Sequence, residues 1–205
     1  GLTEPVLSWD IPIPDAAQTF ATNTLPQDKP ILAINPCTSN RSRNWRNWSV
    51  ENYASVIDFA AQNFGVATVL TGGPSKQEID YAAAITKKAL APCIDLVGKT
   101  NLKELLAVLE QATVMISPDT GPAHMANAVD TPVIGLYASS NPYRTGPYNS
   151  LDITANKYPE AILDEFGKTV NEVRWGQRVR NPEVMSLIRV EEVKKSLRTV
   201  VEENQ

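Results

Sequence analysis

Short apolar runs that alternate with helical patterns constrain this fold more than any other feature of the sequence. The run at residues 114–116 ends at Ser117-Pro118 and predicts a short buried strand. Residues 123–129 are small and helix-compatible, and Thr131-Pro132 separates them from a second apolar run at residues 133–137. This stretch therefore predicts a strand, a polar turn, a short helix and a second strand, which is the repeating unit of a parallel sheet.

The same alternation extends over most of the chain. Apolar runs predict three more strands, at residues 31–34, 66–70 and 94–97. A weaker pattern predicts a further short strand at residues 9–13. Helical spacing with polar capping residues predicts helices at residues 16–24, 49–63, 75–90, from 101 onward and at 190–201. Residues 149–182 predict irregular structure with at most one short helix. We therefore expect an α/β fold, a Rossmann-like parallel sheet with helices on both faces.

Composition narrows the class of protein. A formal net charge of −4 over 205 residues argues against a nucleic-acid-binding protein with a basic face. Cys37 and Cys93 are far apart, so we expect two reduced core residues. The sequence shows neither the carboxylate spacing of a divalent-ion site nor a Gly-x-Gly-x-x-Gly fingerprint, and we expect no metal and no cofactor. Without a run of about 18 apolar residues or a signal-peptide pattern, we expect a cytoplasmic protein.

The start of the predicted helix after residue 118 is suited to bind an anion. The first N–H groups of a helix have no partner within it, and the helix dipole places partial positive charge there. Thr120, Gly121 and His124 add donors or allow close approach of the backbone. A buried capping role for His124 is the alternative.

Two polar loops follow predicted strands and offer further anion contacts. Residues 36–48 include Arg41, Arg43 and Arg46, which suit phosphate, although a solvated basic loop is the alternative. Trp48, at the end of this loop, is expected to pack in the core. The second loop, residues 138–147, supplies Ser139, Ser140, Arg144 and Thr145. Because the carboxyl ends of parallel strands form ligand crevices, we expect the polar loops after strands to line one site.

The chain resembles a known family in these same segments. The sequence Asp-Thr-Gly-Pro-Ala-His-Met-Ala from Asp119, with Asn-Pro-Tyr-Arg-Thr-Gly-Pro-Tyr ending at Tyr148, resembles the C-terminal half of family 9 glycosyltransferases. These are the ADP-heptose:lipopolysaccharide heptosyltransferases. Asn35-Pro36 and the segment Trp-Ser-Val-Glu-Asn-Tyr from Trp48 resemble the family's first donor-site loop and helix.

The resemblance implies the C-terminal half of a GT-B fold, in which two Rossmann-like domains enclose the active site. Residues 31–205 would form the nucleotide-sugar-binding domain, and residues 1–30 a linker. The N-terminal domain, which binds the lipid-linked acceptor and supplies the presumed catalytic aspartate, would be absent. We therefore assign no catalytic residue to this chain and expect it to bind ADP-heptose without transferring the sugar.

The resemblance also implies what the parent enzyme does. It would be an inverting heptosyltransferase that adds heptose to the inner core of lipopolysaccharide, with peripheral association at the cytoplasmic face of the inner membrane. Two other readings stay open. One is a GT-B domain for another nucleotide sugar, a UDP-sugar transferase or epimerase, and the other is a non-catalytic nucleotide-binding domain.

Individual residues take roles by their match to the family. Asp119 would approach hydroxyls of the donor sugar or ribose, and Glu78 would lie near the nucleoside ribose. Arg46 stands where the family often has lysine, so a planar fork replaces a point charge. The diphosphate would contact Thr38, Ser39, Thr120, Gly121 and His124. Arg144 belongs to the second loop. The predicted binding residues are Thr38, Ser39, Arg46, Glu78, Asp119, Thr120, Gly121, His124 and Arg144.

Two departures from the family affect these expectations. The second loop reads Ala-Ser-Ser-Asn-Pro from Ala138, where the family usually has Gly-x-Thr-Asp-Pro, so a carboxylate is lost. The last helix of two-domain GT-B proteins often crosses to the first domain. We therefore expect the apolar face of residues 190–201 to be under-buried here, or to contact another molecule.

Overall fold

A six-stranded, wholly parallel sheet forms the centre of the protein. The computed structural model describes residues 9–38 and 44–203. The strands lie in the order β3-β2-β1-β4-β5-β6. They span β1 Ile31–Ile34, β2 Ala67–Leu70, β3 Cys93–Asp95, β4 Val114–Pro118, β5 Val133–Tyr137 and β6 Ala155–Asn156.

Helices connect these strands, and three of them begin at polar residues that cap them where the sequence predicts a helix start. Ser49 accepts a hydrogen bond from the Asn52 N–H, and Asn101 forms a reciprocal capping box with Glu104. The helices are α1 Asp15–Thr24, α2 Val50–Phe64, α3 Lys76–Lys88, α4 Leu102–Glu110, α5 Gly121–Ala128, α6 Pro142–Thr145, α7 Tyr158–Phe166 and α8 Val190–Glu203. None of the described helices is long and apolar enough to cross a membrane.

Both faces of the sheet are covered, which confirms the predicted fold class. Successive side chains of a strand point to opposite faces. Leu32 and Ile34 of β1 accordingly join one apolar cluster, with α2, α3, α7 and α8. Ile31 and Ala33 join the other, with α1, α4 and α5. Near-continuous apolar strands are what a parallel sheet buried on both faces requires.

The strand order creates a crevice between β1 and β4. The chain first moves outward from β1 through β2 to β3, then returns so that β4 pairs with the other side of β1. The connections on the two sides of this point diverge, which leaves a gap at the carboxyl ends of β1 and β4. The predicted donor residues of both strands therefore face a common space.

Several sequence expectations differ from the structure. Residues 9–14 form no strand, because Pro12 and Pro14 lack N–H donors and the Ile11 N–H bonds locally to the Trp9 carbonyl. The predicted third strand is shorter and lies earlier in the chain, at β3. Residues 149–182 contain β6 as well as α7, because two residues of strand give too short a pattern to recognise in the sequence.

The terminal helix contradicts its prediction. Val193, Leu197, Val200 and Val201 of α8 are all buried, so its apolar face is internal to this chain. The helix packs beside α2 against the sheet, and the chain's own core supplies the apolar contacts that a second domain was expected to provide.

The N-terminal segment carries a packed helix. Ala17 and Ala21 of α1 and the following Leu25 are buried in the second apolar cluster, where α1 lies against α4. The predicted domain boundary at residue 30 therefore falls after a helix that packs on the sheet domain.

Candidate functional site

A cavity lined by described residues lies in the crevice between β1 and β4. It has a volume of about 640 Å³. Seven of the nine predicted binding residues line it. Of the other two, Ser39 lies outside the described residues, and Arg144 lies at a different cavity. The seven are Thr38, Arg46, Glu78, Asp119, Thr120, Gly121 and His124.

The start of α5 forms one wall of the cavity and offers unpaired donors. Thr120 is the N-cap residue, but its side chain makes no capping bond and its hydroxyl instead lies 2.8 Å from the Ser117 hydroxyl. Pro122 has no N–H, so the first-turn donors come from Gly121 and Ala123. His124 is exposed at this end, which rules out the alternative of a buried capping residue.

Arg46 crosses the cavity from the loop after β1 to the end of β4. One of its guanidinium nitrogens donates to the Asp119 carbonyl at 2.5 Å and lies 3.4 Å from the Asp119 carboxylate. Arg178 lies 3.6 Å from the same carboxylate oxygen. This oxygen makes no hydrogen bond of normal length among the described residues, so its negative charge is held by two guanidinium groups through ion pairs.

Thr38 lines the same cavity and carries an unsatisfied hydroxyl. Its backbone N–H donates to the Asn47 side chain at 3.1 Å, which fixes the residue. Its side-chain oxygen is buried and has no hydrogen-bond partner among the described residues. A buried hydroxyl without a partner is costly, so a ligand that reached this oxygen would gain a hydrogen bond. Burial raises the pKa of the neighbouring Cys37 thiol, which keeps it protonated near neutral pH.

Glu78 shapes the turn after β2. One of its carboxylate oxygens accepts from the Gly73 N–H at 2.8 Å, and the other accepts from the Ser75 hydroxyl at 2.6 Å. A Cβ at Gly73 would lie 3.0 Å from this carboxylate, so glycine permits the close contact. Glu78 therefore lines the cavity while its carboxylate holds the turn.

The second loop does not line this cavity. Ser139 and Ser140 are buried, and Arg144 lies at a separate cavity. The expectation that both polar loops line one crevice is therefore wrong. The crevice lies between β4 and β1, whereas the second loop follows β5, which pairs with the opposite edge of β4. Asn141 caps α6 by accepting from the Tyr143 N–H at 3.0 Å.

Other residues of the cavity were not selected from the sequence. Most of them follow the end of a strand, and that placement is the signal that could have identified them, whereas Leu105 and Pro122 lie in the first turns of α4 and α5. Asn35 and Cys37 follow β1, residues 72–74 follow β2, and residues 100–102 follow β3. Trp48 packs in the core as predicted, since it is fully buried and its indole N–H donates to the Ile188 carbonyl at 3.0 Å.

The charges of the described lining are mixed. Arg46 opposes the carboxylates of Asp119 and Glu78, both of which already have partners within the protein. Within the ranges that the structure describes, no group of three or more His, Cys, Asp or Glu residues could hold a metal ion. Donors of the described lining include the start of α5, the Thr38 hydroxyl, His124 and the guanidinium group of Arg46, which has more N–H groups than its contacts with Asp119 use.

Comparisons with known proteins give the family. The chain is 35% identical over 193 residues to the lipopolysaccharide core heptosyltransferase OpsX of Haemophilus influenzae, an alignment that covers 94% of this chain and 54% of that protein. It superposes on a glycosyltransferase family 9 structure from Veillonella parvula with a TM-score of 0.73 and 23% identity, over 94% of this chain and 53% of that one.

A third relative is the Escherichia coli heptosyltransferase WaaC, solved with ADP. Its TM-score is 0.60 at 24% identity, over 90% of this chain and 48% of that one. The chain thus spans about half the length of these relatives. Since the model of glycosyltransferase family 9 (heptosyltransferase) matches residues 1–175, the chain belongs to that family.

Proposed function

We propose that the cavity binds the nucleoside diphosphate of an ADP-heptose donor. The observation that carries this proposal is the convergence of seven residues, chosen from the sequence, on the crevice between β1 and β4. Nucleotides bind at this position in open α/β sheets, and a helix start favours phosphate. The relative solved with ADP supports the choice of base.

In the parent enzyme this domain would hold the donor while a hydroxyl of the acceptor attacks the anomeric carbon of heptose. The bond from that carbon to the β-phosphate oxygen breaks, and attack from the opposite side inverts the configuration. The departing ADP gains negative charge, which the start of α5 and Arg46 are placed to stabilise. We assign the acceptor, the inner core of lipopolysaccharide, and the catalytic base to the second domain of a GT-B enzyme at the cytoplasmic face of the membrane.

Calorimetric titration of the 205-residue chain tests the donor assignment. ADP, UDP and ADP-heptose are titrated without metal and then with magnesium. We expect ADP to bind more tightly than UDP. Arg46→Gln should weaken ADP binding by about tenfold or more, because a charge-assisted hydrogen bond to phosphate is lost. Arg189→Gln, an exposed arginine outside the cavity, is the matched control.

The outcomes separate the readings. A preference for UDP would move the assignment to another nucleotide sugar, and epimerisation of a UDP-sugar would identify an epimerase. Equal ADP affinity in Arg46→Gln and in the control would contradict the proposed role of Arg46. His124→Ala gives an independent check, because a domain that does not use the start of α5 would keep its affinity.

A further inference from the structure

A second cavity is lined by four arginines. It has a volume of about 530 Å³ and is lined by Arg144, Arg174, Arg178 and Arg180, with Glu165 as the carboxylate of its lining. The chain has nine arginines and a net charge of −4, yet four of them meet here. With four positive charges and one negative, the lining carries a formal charge of +3.

A tight turn brings two of these arginines together. The Gln177 N–H donates to the Arg174 carbonyl at 2.9 Å, and Gly176 between them has a φ of 84°. This is a turn that needs glycine at its third position. A Cβ on Gly176 would also lie 2.9 Å from Nε of Arg144, so the glycine leaves room for the guanidinium group to lie against the turn.

The segment after the turn places the other two arginines. Val179 is buried and its N–H donates to the Ser139 carbonyl at 3.0 Å, which ties the segment to the end of β5. Arg178 and Arg180 flank Val179, and both line the cavity. Arg178 pairs with Asp119, whereas the guanidinium groups of Arg144 and Arg180 make no hydrogen bond or ion pair within residues 9–38 and 44–203.

We propose that this arginine cavity binds a phosphomonoester carried by a second ligand. Guanidinium groups match phosphate oxygens with two parallel hydrogen bonds, and a local charge of +3 complements a dianion better than a single carboxylate. A volume of about 530 Å³ exceeds what a bare phosphate fills, so the cavity has room for a larger group attached to the phosphate. That this ligand differs from the nucleotide rests on the proposed function above.

The two cavities adjoin through one side chain. Asp119 pairs with Arg46, which lines the nucleotide cavity, and with Arg178, which lines the arginine cavity. A ligand in the second cavity would thus lie next to the donor without occupying its site. This arrangement suits a phosphate group that is held beside the donor.

The test measures phosphate binding by the 205-residue chain in saturating ADP. Glucose 6-phosphate serves as the soluble probe, and phosphatidylcholine vesicles with and without phosphatidic acid serve as the lipid probe. The variant is R144Q/R180Q, which removes two guanidinium groups that have no described partner. The control is K87Q/K88Q, which makes the same charge change on exposed residues of α3.

We expect R144Q/R180Q to weaken phosphate binding by about tenfold or more while K87Q/K88Q leaves it unchanged. Whichever probe binds, sugar phosphate or vesicle, identifies the source of the phosphate. Glucuronate, which carries a carboxylate in place of the phosphate, is titrated for comparison. The proposal would be overturned if both variants lost affinity equally, if glucuronate bound as well as glucose 6-phosphate, or if neither phosphate probe bound. ADP affinity is measured in the same variants. If the unmodified chain does not bind ADP, the proposed nucleotide site is refuted but the phosphate site is not. The titration with the phosphate probes is then done without ADP.

Discussion

The carboxylate of Asp119 lies 3.4 Å from the guanidinium of Arg46, and the Asp119 carbonyl accepts a hydrogen bond from the same nitrogen. One residue at the end of β4 thus holds the arginine from the loop after β1 by both its side chain and its backbone. The Asp119 side chain is 9% exposed and that of Arg46 is 14% exposed, so solvent screens the pair little. This contact joins the two strands at which the sheet changes direction.

Removal of this carboxylate should destabilise the fold. Asp119→Ala leaves Arg46 without its counter-charge, and we expect the free energy of unfolding to fall by about 1–3 kcal/mol. The estimate is below that for a fully buried pair because Arg178 is 36% exposed and can turn to solvent. Urea unfolding followed by circular dichroism measures the change. Asp164→Ala, an exposed residue of α7, should have almost no effect, and equal effects of the two substitutions would contradict the role of the pair.

Two buried threonines allow a matched comparison. The hydroxyls of Thr38 and Thr68 are both buried without a hydrogen-bond partner in the described part of the chain, but Thr38 lines the cavity and Thr68 lies within β2. Replacement of an unsatisfied buried hydroxyl with a methyl group should not destabilise the fold. It should raise the free energy of unfolding by as much as about 1 kcal/mol. We expect both valine variants to show this in urea unfolding.

Ligand affinity should separate the same two variants. Thr38→Val should weaken ADP binding by about fivefold to tenfold, because a hydrogen bond to phosphate is lost. Thr68→Val should bind ADP like the unmodified chain. Unchanged ADP affinity in Thr38→Val would show that the hydroxyl faces no ligand group.

The architecture and much of the site could be predicted because both follow from local patterns. The strands at 31–34 and 133–137 are apolar runs with clear breakers, and capping residues such as Asn101 mark helix starts. Parallel strands place their carboxyl ends together, so residues after β1 and β4 were expected to meet. The cavity that contains Arg46 and His124 agrees with this expectation.

Other features depend on long-range packing that no local pattern records. The burial of α8 could not be predicted, because an amphipathic face shows that a partner exists but not which one. Arg178 pairs with Asp119, which lies 59 positions earlier in the sequence. The segment that carries Arg178 lacks regular structure, so no local pattern indicates this contact. Arg144 was grouped with the nucleotide site, but the turn at Gly176 places it in the second cavity.

A salt bridge from the N-cap residue of α7 to α8 should make stability depend on pH. Lys157 Nζ lies 2.7 Å from a carboxylate oxygen of Glu192. Burial opposes ionisation of Glu192, but hydrogen bonds from Lys157 and from the Arg189 N–H outweigh it and lower the pKa below its ordinary value of 4.5. The same hydrogen bond raises the pKa of Lys157 above 10.5.

The sign of the dependence follows from these directions. A lowered carboxyl pKa contributes stability above pH 4.5 that is lost as the pH falls through the folded-state value. Glu192→Gln should therefore cost about 0.5–1 kcal/mol near pH 7, a small value because the Glu192 side chain is 38% exposed, and nothing in strong acid. Unfolding in urea across this pH range measures the difference. Glu191→Gln, on a residue 81% exposed, is the control, and a cost that persists in acid would contradict the ion-pair explanation.

Leu197 tests whether α8 belongs to this domain. Its side chain is fully buried in the core that α8 shares with α2, so Leu197→Ala should lower the free energy of unfolding by about 2–5 kcal/mol through lost burial and the cavity left behind. Leu163→Ala is the matched control, because Leu163 lies on α7 with 57% of its surface exposed and should change stability by about 0.5 kcal/mol or less. Both are measured by urea unfolding of the 205-residue chain. If Leu197→Ala were as mild as the control, α8 would not pack on this sheet in solution, and the expectation that its apolar face serves a second domain would return.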